Sequence, residues 1–553
     1  MTDSTSAVVH LRAPKCHGQS LIVPSYPELL AHLNVIRQTS RWPMFVCGGL
    51  ESHELCKQGR AELLQAAIRY TRSYRDVQVP ETREVFVLTG HQPELFHPGV
   101  WFKNILADAL ARHTAGVAVH VVIDNDLPGS LAIKCPTTNE GRVRQVRCLL
   151  DLSSPRIPYE ERAVRDWQLF ASFGNRAAAY VQPLVSEPLV ETFWPLVLEA
   201  ARRTGRLGVA IAQARHQWEA RWGMQTLEIP LSEVCRLDAV RWFLSQMIYQ
   251  GALLHEHYNR ALTAFRQRYG IRRSSHPVAE LARQEDWYEL PFWIWTRSQP
   301  QRRGLWCRVH PRCLEIGDRR GLRLCWPGSG AGLAAAVEAW QEAEYRGVCI
   351  RPRALITTMT LRMLLSDLFI HGIGGAHYDG LTDDIARLFW GQPPPPFATA
   401  TATVHLPVPH EAVSDEDLTR LQVLLRELTY HPERFLADTT DETVRHLIEE
   451  KQRWKGTVIP PLRRRQYEVI TRINQQLQPY VQPIREAVQQ QLADLQDKWT
   501  ITRILTSREY AFCLFPDTFL QNLWPQLCPA TTVGSGTAPG NESHFTGLTG
   551  CHC

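Results

Sequence analysis

The chain has 553 residues, a length that by itself predicts roughly two to four domains. Its 61 basic and 56 acidic residues give a formal net charge of +5, a balance that argues against a nucleic-acid partner. The sequence has no leader-like N-terminus and no run of about eighteen apolar residues, so we expect a cytoplasmic protein without a membrane partner. Fourteen cysteines include no Cys-x-x-Cys pair, which predicts reduced thiols and no metal site.

Residues 1–80 are predicted to form a mostly helical lead-in, and a strand–helix–strand unit follows it. The first strand covers 85–88, a loop with two histidines leads to a helix over 100–113, and a second apolar run covers 117–123. Strands buried in parallel sheets have this continuous apolar character, and ligands of open α/β sheets bind where such strands end. We therefore expect the polar residues that follow both strands to lie at a ligand-binding edge.

The following segments alternate between strand and helix patterns. They predict strands at 131–134, 143–150 and 226–230, and helices at 186–203, capped by Ser186, and at 238–268. Residues 212–222 are predicted to form a charged surface helix. Strands joined as hairpins are expected over 290–326, followed by a helix at 333–345, a buried strand at 348–351 and a helix at 355–369.

Four consecutive prolines at 393–396 exclude a helix or a central strand there and predict a boundary, so we assign an α/β core to 81–405. Apolar residues then step by three or four over 470–499, which predicts a helical hairpin or coiled-coil domain at 406–505, kinked at Pro479 and Pro483. Residues 506–528 are expected to return to the core. The tail at 529–553 is rich in Gly, Ser and Thr and is predicted to be disordered.

The loop after the first core strand carries the main candidates for chemistry. His91 and His97 lie where a strand ends and a helix begins, a place that suits an anion, and imidazoles there can neutralise or protonate phosphate or carboxylate oxygens. Lys103 adds a positive charge just inside the helix. The alternative is that both histidines are ordinary loop residues and that Lys103 extends its ammonium group to solvent.

Two further segments are candidates for ligand binding. The segment 124–126 (Asp-Asn-Asp) ends the next strand, where carboxylates can hold a ribose hydroxyl, an amine or hydrated Mg²⁺, although the same residues are common in turns. The glycines of 372–375 (Gly-Ile-Gly-Gly) let a ligand approach the backbone closely, and Tyr378 and Asp379 follow them. The alternative for the glycines is a tight turn.

Four segments, in order along the chain, resemble one known family. They are 89–96 (Thr-Gly-His-Gln-Pro-Glu-Leu-Phe) with the helix through Lys103, 121–126 (Val-Val-Ile-Asp-Asn-Asp), 364–369 (Leu-Leu-Ser-Asp-Leu-Phe) with 373–375 (Ile-Gly-Gly), and 514–516 (Leu-Phe-Pro) with 520–521 (Leu-Gln). In these segments the chain resembles the bacillithiol biosynthesis cysteine-adding enzymes, whose core is similar to that of the HUP-type Rossmann nucleotidyltransferases.

The chain departs from the family at three places in the expected pocket. His91 stands where the family has glutamine, the acidic segment at 124–126 lacks the family's histidine, and 374–379 (Gly-Gly-Ala-His-Tyr-Asp) replaces Gly-Gly-Pro-Gly-Glu. The resemblance therefore predicts the fold more firmly than the substrate, and the substrate can differ from a glucosamine–malate conjugate.

The resemblance implies a Rossmann-like parallel sheet with an added helical coiled-coil domain. It implies a ligase that joins an amino acid, cysteine in that family, to the amine of a small sugar-type metabolite in low-molecular-weight thiol biosynthesis or a related pathway. The residues that we expect to act in catalysis are His91, His97, Lys103, Asp124 and Asp126. Those that we expect to bind substrate are Thr89, Gly90, Gln92, Asn104, Asn125, Gly372, Gly374, Gly375, Tyr378 and Asp379.

The sequence does not identify a cofactor, and ATP or ADP with Mg²⁺ is the candidate. A small-molecule substrate is the expected partner, with a homodimer through the helical domain as a further candidate. Two alternative functions stay open: a nucleotidyltransferase that forms an adenylate, and a non-catalytic dimeric binding or scaffold protein.

Overall fold

A computed structural model describes residues 11–39, 43–79, 85–153, 157–271, 278–311, 313–328, 330–456 and 462–528. The N-terminal elements are β1 (Gln19–Val23), α1 (Tyr26–Thr39), β2 (Val46–Cys47), β3 (Leu50–Glu51) and α2 (Ser52–Arg72). The next group is β4 (Phe86–His91), α3 (Pro98–Thr114), β5 (Val117–Val122), β6 (Ala132–Asn139), β7 (Arg142–Leu149), α4 (Trp167–Val181), α5 (Val190–Thr204), α6 (Leu207–Arg221) and β8 (Leu227–Pro230).

The middle of the chain contains α7 (Leu231–Val234), α8 (Asp238–Tyr249), α9 (Gly251–Arg268), β9 (Arg283–Gln284), β10 (Trp287–Thr296), β11 (Gln299–His310), β12 (Cys313–Gly317), β13 (Arg323–Trp326), α10 (Leu333–Tyr345) and β14 (Val348–Pro352). The remaining elements are α11 (Ala354–Thr360), β15 (Leu368–His371), α12 (Ile373–Trp390), β16 (Phe397–Thr403), α13 (Asp415–Tyr430), α14 (Glu442–Gly456), α15 (Arg463–Leu505) and α16 (Asp517–Leu527). The protein is therefore mixed α/β, as the sequence predicts.

Within the described ranges, six strands form the first sheet, in the spatial order β1-β16-β15-β4-β5-β8. The strands from β16 to β8 pair in parallel, and β1 is antiparallel to β16. Alternate residues of β4 point into two apolar cores, one on each face of the sheet. Val87 belongs to the first core, together with residues of α3, α5, α6 and α16. Phe86 and Leu88 belong to the second core, together with residues of α2, α8 and α9. Both faces of the sheet are therefore covered, which explains the continuous apolar runs of β4 and β5.

A second sheet is antiparallel and lies beside the carboxyl ends of the parallel strands. Its order is β13-β12-β11-β10-β14, with β9 paired to β10. The hairpins expected over 290–326 are confirmed, and the strand expected at 348–351 is β14, which belongs to this sheet. Asn125, just after β5, donates its side-chain amide to the Pro352 carbonyl oxygen at 2.9 Å and so links the two sheets.

Several predicted elements of the first half are corrected by the structure. The lead-in contains β1, an edge strand of the first sheet, and α4 was missed. The helix that we expected to begin after a Ser186 cap begins at Val190 instead. The residue before it, Leu189, donates its N–H to the Phe515 carbonyl oxygen, so the backbone there is not yet helical in its hydrogen bonding. The single helix expected over 238–268 is divided into α8 and α9 at Gln250.

Helix α6 overturns the prediction of a charged surface helix at 212–222. Its polar side chains Gln213, Arg215, His216 and Glu219 are all buried between the first sheet and neighbouring helices. Charged residues in a helix usually mark a solvated face, but these pair with one another and with charges on neighbouring elements, which allows their burial.

The region before the prolines also differs from its prediction. The helix expected over 355–369 ends at Thr360, continues as one π-helical turn at Leu361–Leu365, and gives way to β15. The prolines at 393–396 are followed directly by β16, which pairs with β15 and lies inside the core expected over 81–405.

Cys313 and Cys325 form a disulfide between the neighbouring strands β12 and β13, with their Cα atoms 5.8 Å apart. The prediction of reduced thiols is wrong for this pair, since hairpin pairing brings together two cysteines that look isolated in the sequence. Over the ranges that the structure describes, no helix has the length and apolar character needed to cross a membrane.

Among its described residues, the helical region at 415–505 contains three α-helices. The first two, α13 and α14, pack on α15, which is 43 residues long and continues through Pro479 and Pro483. After α15 the chain returns to the first core, where Tyr510 and Phe512 are fully buried together with the apolar residues of α16. The predicted disordered tail at 529–553 lies outside the described residues.

Candidate functional site

The order of the parallel strands locates the candidate site. Numbered in chain order, the five parallel strands of the first sheet are arranged 3-2-1-4-5, and the order reverses between β4 and β15. In open α/β sheets the crevice at such a reversal, outside the carboxyl ends of the strands, is where ligands bind. Here β4 ends at His91, and β15 ends at His371, just before Gly372 and the start of α12.

His91 is buried, and only one of its two ring nitrogens has a hydrogen-bond partner among the described residues. Its Nδ1–H donates to the Gln92 carbonyl oxygen at 2.9 Å, and its Nε2 has no hydrogen-bond partner among the described residues. Burial, followed by the charges of His120, Lys103 and Arg215, lowers the pKa of His91 well below its usual value. The ring is therefore neutral near pH 7, with its lone pair on Nε2, which can accept a proton.

Lys103 lies at the base of the same crevice. Its Nζ donates to the Gly90 carbonyl oxygen at 2.9 Å, and burial, with a contribution from Arg215, lowers its pKa to about 7. A Cβ on Gly372 would lie 3.9 Å from the Lys103 Cδ, and Thr89 donates its hydroxyl to the Ile370 carbonyl oxygen at 3.0 Å. The crevice thus brings together four of the residues expected from the sequence: Thr89, Gly90, Lys103 and Gly372.

Behind His91 lies a buried polar cluster that joins α3, α6, β5 and β8. We call it the β4 cluster; its members are His91, Lys103, Asn104, His120, Arg215, Glu219 and Glu228. Glu219 accepts hydrogen bonds from the Trp101 indole at 2.7 Å and the Asn104 amide at 2.8 Å, and it pairs with Arg215. Asn104 is therefore directed into the protein rather than toward the crevice.

Arg215 also connects the cluster to the neighbouring strands β8 and β5. Arg215 also pairs with Glu228, whose Oε2 lies 3.0 Å from His120 Nδ1, and the rings of His120 and His91 are 4.3 Å apart. Three polar atoms besides His91 Nε2 have no partner among the described residues: Asn104 Oδ1, His120 Nε2 and Glu219 Oε2. The cluster thus contains four polar atoms without a hydrogen-bond partner among the described residues.

Burial and the charge of Arg215 determine the electrostatics of the cluster: they oppose each other at the carboxylates and act together at His91, Lys103 and His120. Burial alone would raise the pKa of Glu219, but Arg215 and the Asn104 amide outweigh it, so the pKa is lowered and the side chain is charged. Burial dominates at Glu228 and raises its pKa, and burial with Arg215 lowers the pKa of His120. The imidazoles are accordingly neutral beside a fixed guanidinium charge.

Sequence reasoning missed four members of this cluster: His120, Arg215, Glu219 and Glu228. Two of them had a recognisable signal, since His120 and Glu228 each interrupt an apolar strand that is buried on both faces. A titratable residue at such a position needs a buried partner. No comparable signal marks Arg215 or Glu219 in the sequence.

A cavity of about 410 Å³ opens beside the end of β4 and is lined by His91, Gln92 and His97. His97 precedes α3, and its Nδ1 has no partner among the described residues. Burial, with contributions from Arg508 and Lys103, lowers the pKa of His97 to about 4. The other polar wall is formed by Tyr159, which donates its hydroxyl to Glu94 at 3.0 Å.

The acidic segment after β5 is largely engaged in structural contacts. Asp124 is buried and accepts hydrogen bonds from the Ser232 N–H at 3.0 Å and from the Ser232 hydroxyl at the start of α7. Burial raises the pKa of Asp124 to about 6 despite these bonds. Asp126 accepts from the Gln92 amide at 2.9 Å and from Arg302 at 3.1 Å, and its side chain is 38% exposed.

The residues after β15 divide into two groups. Gly374 and Gly375 are exposed in the first turn of α12, and a Cβ on Gly375 would lie only 2.7 Å from His371 Nδ1, which explains the glycine there. Asp379 is buried one turn later, and Tyr378 packs on the second core. Glycine thus leaves the first N–H groups of α12 accessible at the crevice, whereas Asp379 lies beneath it.

Asp379 belongs to what we call the α12 network, formed by Thr358, Arg362, His371, Asp379 and Asp383. Asp379 accepts from His371 Nε2 at 3.0 Å, from the Thr358 hydroxyl at 3.0 Å and from Arg362. Burial would raise its pKa, but His371 and Arg362 outweigh burial and lower it. The carboxylate has no free face for a substrate.

The chain matches no protein-family model, and a comparison with curated proteins gives no match. Over the described ranges, no group of three His, Cys, Asp or Glu side chains is placed to hold a metal ion. The candidate site therefore rests on its own geometry.

Proposed function

We propose that the protein is a ligase-type enzyme with a Rossmann-like core, which joins the carboxyl group of an amino acid to the amine of a small sugar-type metabolite. One observation carries the proposal. Two buried titratable side chains with lowered pKa values, His91 and Lys103, meet at the crevice where the order of the parallel strands reverses. Perturbed groups of this kind concentrate at active sites.

The chemistry of amide formation matches these two groups. An attacking amine must lose a proton, and the Nε2 of neutral His91 carries the lone pair that would accept it. The reacting carboxyl group develops negative charge on oxygen, which the protonated fraction of Lys103 and the N–H groups at the start of α12 would stabilise. His97 lines the cavity of about 410 Å³ together with His91 and would contact the substrate there.

A nucleotide is the proposed activator of the carboxyl group. The exposed first turn of α12 offers N–H groups to a phosphate, as helix N-termini do in nucleotide-binding folds. With Asp124 engaged by Ser232, the partly exposed carboxylate of Asp126 is the better candidate to approach Mg²⁺. The same features favour the second candidate function, a nucleotidyltransferase that releases an amino-acid adenylate.

We also propose a homodimer through a coiled-coil arrangement of the helical region. Its helices are held together by two small clusters, around Val481 and Val488 and around Ile473 and Leu477. Large apolar side chains stay exposed on α13 and α15: Val423, Tyr430, Tyr467, Tyr480 and Ile484. Exposed apolar surface of this kind supports association with a second copy.

The test is a product assay with the purified full-length chain. Cysteine and an amino-sugar–malate conjugate are incubated with and without ATP and Mg²⁺, and mass spectrometry seeks a product equal to the two substrates less one water. We expect this product with ATP, and its loss in Lys103→Met but not in Lys498→Met, a matched exposed lysine on α15. Pyrophosphate release with ATP and the amino acid alone would favour the nucleotidyltransferase. No product and no pyrophosphate release with any substrate pair would contradict an enzymatic role and favour the scaffold.

A further inference from the structure

A second cavity, of about 800 Å³, lies on the outer side of the antiparallel sheet, at β10, β11 and the turn after β12. Four arginines line it against a single carboxylate, that of Asp318. We call it the arginine cavity, and define it by Trp293, Arg302, Arg303, Trp306, Arg319 and Arg320. Its lining is strongly basic, unlike the nearly balanced charge of the whole chain.

The arginines on the strands are held in place. The Arg302 guanidinium lies 4.7 Å from the centre of the Trp293 ring and donates to the Asn125 carbonyl oxygen at 2.7 Å and to Asp126 at 3.1 Å. Its side chain is 11% exposed, and its Nε has no partner among the described residues. Such a guanidinium loses little further conformational entropy when it binds a ligand.

The turn after β12 is shaped to present two more arginines. Asp318 accepts hydrogen bonds from the backbone N–H groups of Arg320 and Leu322 and from the Arg303 side chain, which fixes the turn. Arg319 adopts a left-handed φ of +58°, a conformation that residues with a side chain rarely adopt. The Arg319 guanidinium lies 5.6 Å from the centre of the Trp287 ring and 5.7 Å from the centre of the Trp306 ring.

Arg319 and Arg320 are the uncompensated charges of the cavity. Among the described residues, the Arg320 guanidinium has no hydrogen bond or ion pair, and Arg319 has no carboxylate partner; both side chains are exposed at the rim. Adjacent guanidinium groups without counter-charges favour a ligand with several anionic oxygens, and their planar donor forks match phosphate. The volume exceeds what a bare ion needs and is that of a small-molecule site.

We propose that the arginine cavity binds a phosphorylated small molecule, with Arg302, Arg319 and Arg320 contacting its phosphate oxygens. The cavity is separate from the crevice at β4, because the Asp126 side chain stands between them, bonded to Gln92 on one side and Arg302 on the other. This site therefore does not depend on the ligase proposal.

The proposal is tested by isothermal titration of the full-length protein with inorganic pyrophosphate, ADP, glucose 6-phosphate and, as a phosphate-free control, adenosine. We expect at least one phosphate compound to bind at one site per chain that depends on Arg319 and Arg320, in addition to the nucleotide site proposed at α12, and adenosine not to bind at the arginine cavity. Equal affinities for pyrophosphate and ADP would show that phosphate alone is recognised, whereas tighter binding of ADP or glucose 6-phosphate would show that the attached group contributes. Either result supports the cavity.

The variants decide where binding occurs. Arg319→Gln with Arg320→Gln should weaken binding about a hundredfold, since each of the two charged hydrogen bonds contributes about tenfold. Arg320→Ala alone should weaken it less, and Arg323→Gln with Arg346→Gln, which removes two exposed arginines outside the cavity, should have no effect. His91→Asn should also leave this binding unchanged. Failure of all three phosphate compounds to bind, or equal binding by the Arg319/Arg320 double variant, would overturn the proposal.

Discussion

Two buried polar groups flank the point where the strand order reverses, and they differ in how completely the protein satisfies them. The α12 network and the β4 cluster each combine histidine, arginine and carboxylate side chains under the carboxyl edge of the first sheet. In the α12 network Asp379 accepts three bonds, and Arg362 divides its donors between Asp379, Asp383 and the Pro395 carbonyl oxygen. In the β4 cluster, four buried atoms have no partner among the described residues.

The difference lies in how fully the protein satisfies its own buried polar atoms. A buried polar atom that is left without a partner costs about 1–3 kcal/mol. Asp379, which the sequence analysis placed among the substrate-binding residues, is engaged by hydrogen bonds within the protein. His91 keeps an Nε2 without a partner among the described residues, and the proposed function rests on that atom.

The largest expected effect on stability is in the α12 network. Asp379→Ala leaves the buried Arg362 guanidinium without its main counter-charge, so we expect the free energy of unfolding to fall by about 3–5 kcal/mol. Guanidinium chloride titration followed by circular dichroism measures the change. Asp286→Ala, which removes a carboxylate of an exposed ion pair, should cost less than about 1 kcal/mol. Equal effects of the two substitutions would contradict the structural role of Asp379.

The next effect is a pH dependence that arises from Lys103. Its pKa is about 7 in the folded protein against a usual 10.5, so between these pH values the unfolded chain binds more protons and stability rises with pH. The wild type should gain up to about 1.4 kcal/mol per pH unit relative to Lys103→Met over this range. Unfolding titrations at pH 7 to 10 measure the difference. For the control Lys498→Met, the free energy of unfolding should depend on pH as it does in the wild type. The same pH dependence in Lys103→Met would contradict a lowered pKa for a buried Lys103.

The smallest expected effect on stability is at His91. Asparagine can keep a donor near the position of Nδ1, facing the Gln92 carbonyl oxygen, while it removes Nε2, which has no partner to lose. We expect His91→Asn to change the free energy of unfolding by about 1 kcal/mol or less, mainly from lost ring contacts. A loss comparable to that of Asp379→Ala would place His91 with the structural residues and remove the contrast between the two groups.

The fold was predictable where the pattern is local. Strands β4 and β5 were predicted from short apolar runs, and helix α3 was predicted from apolar residues at helical spacing. Strand β15 was missed because its three apolar residues follow a buried π-helical turn after only two polar residues, so periodicity cannot separate the two elements. Strand β16 was missed because it alternates alanine and threonine, small residues that are buried on both faces here and carry no hydrophobic signal.

The site was predictable only in part. The candidates His91 and Lys103 follow from their position after a strand and inside the next helix. The charges that act on them arrive from distant parts of the chain, as Arg215 does when it contributes to the lowered pKa of both residues. Asp124 and Asp379 look like ligand-binding carboxylates in the sequence, because nothing local reveals the Ser232 and Arg362 side chains that occupy them.

The most direct test of the functional role of the β4 cluster is the kcat/KM of His91→Asn for amide formation, measured beside wild type and His53→Asn, an exposed histidine of α2. Loss of a general base should lower kcat/KM by about a hundredfold or more, with the free energy of unfolding nearly unchanged and His53→Asn fully active. A folded His91→Asn variant with wild-type kcat/KM would contradict the account.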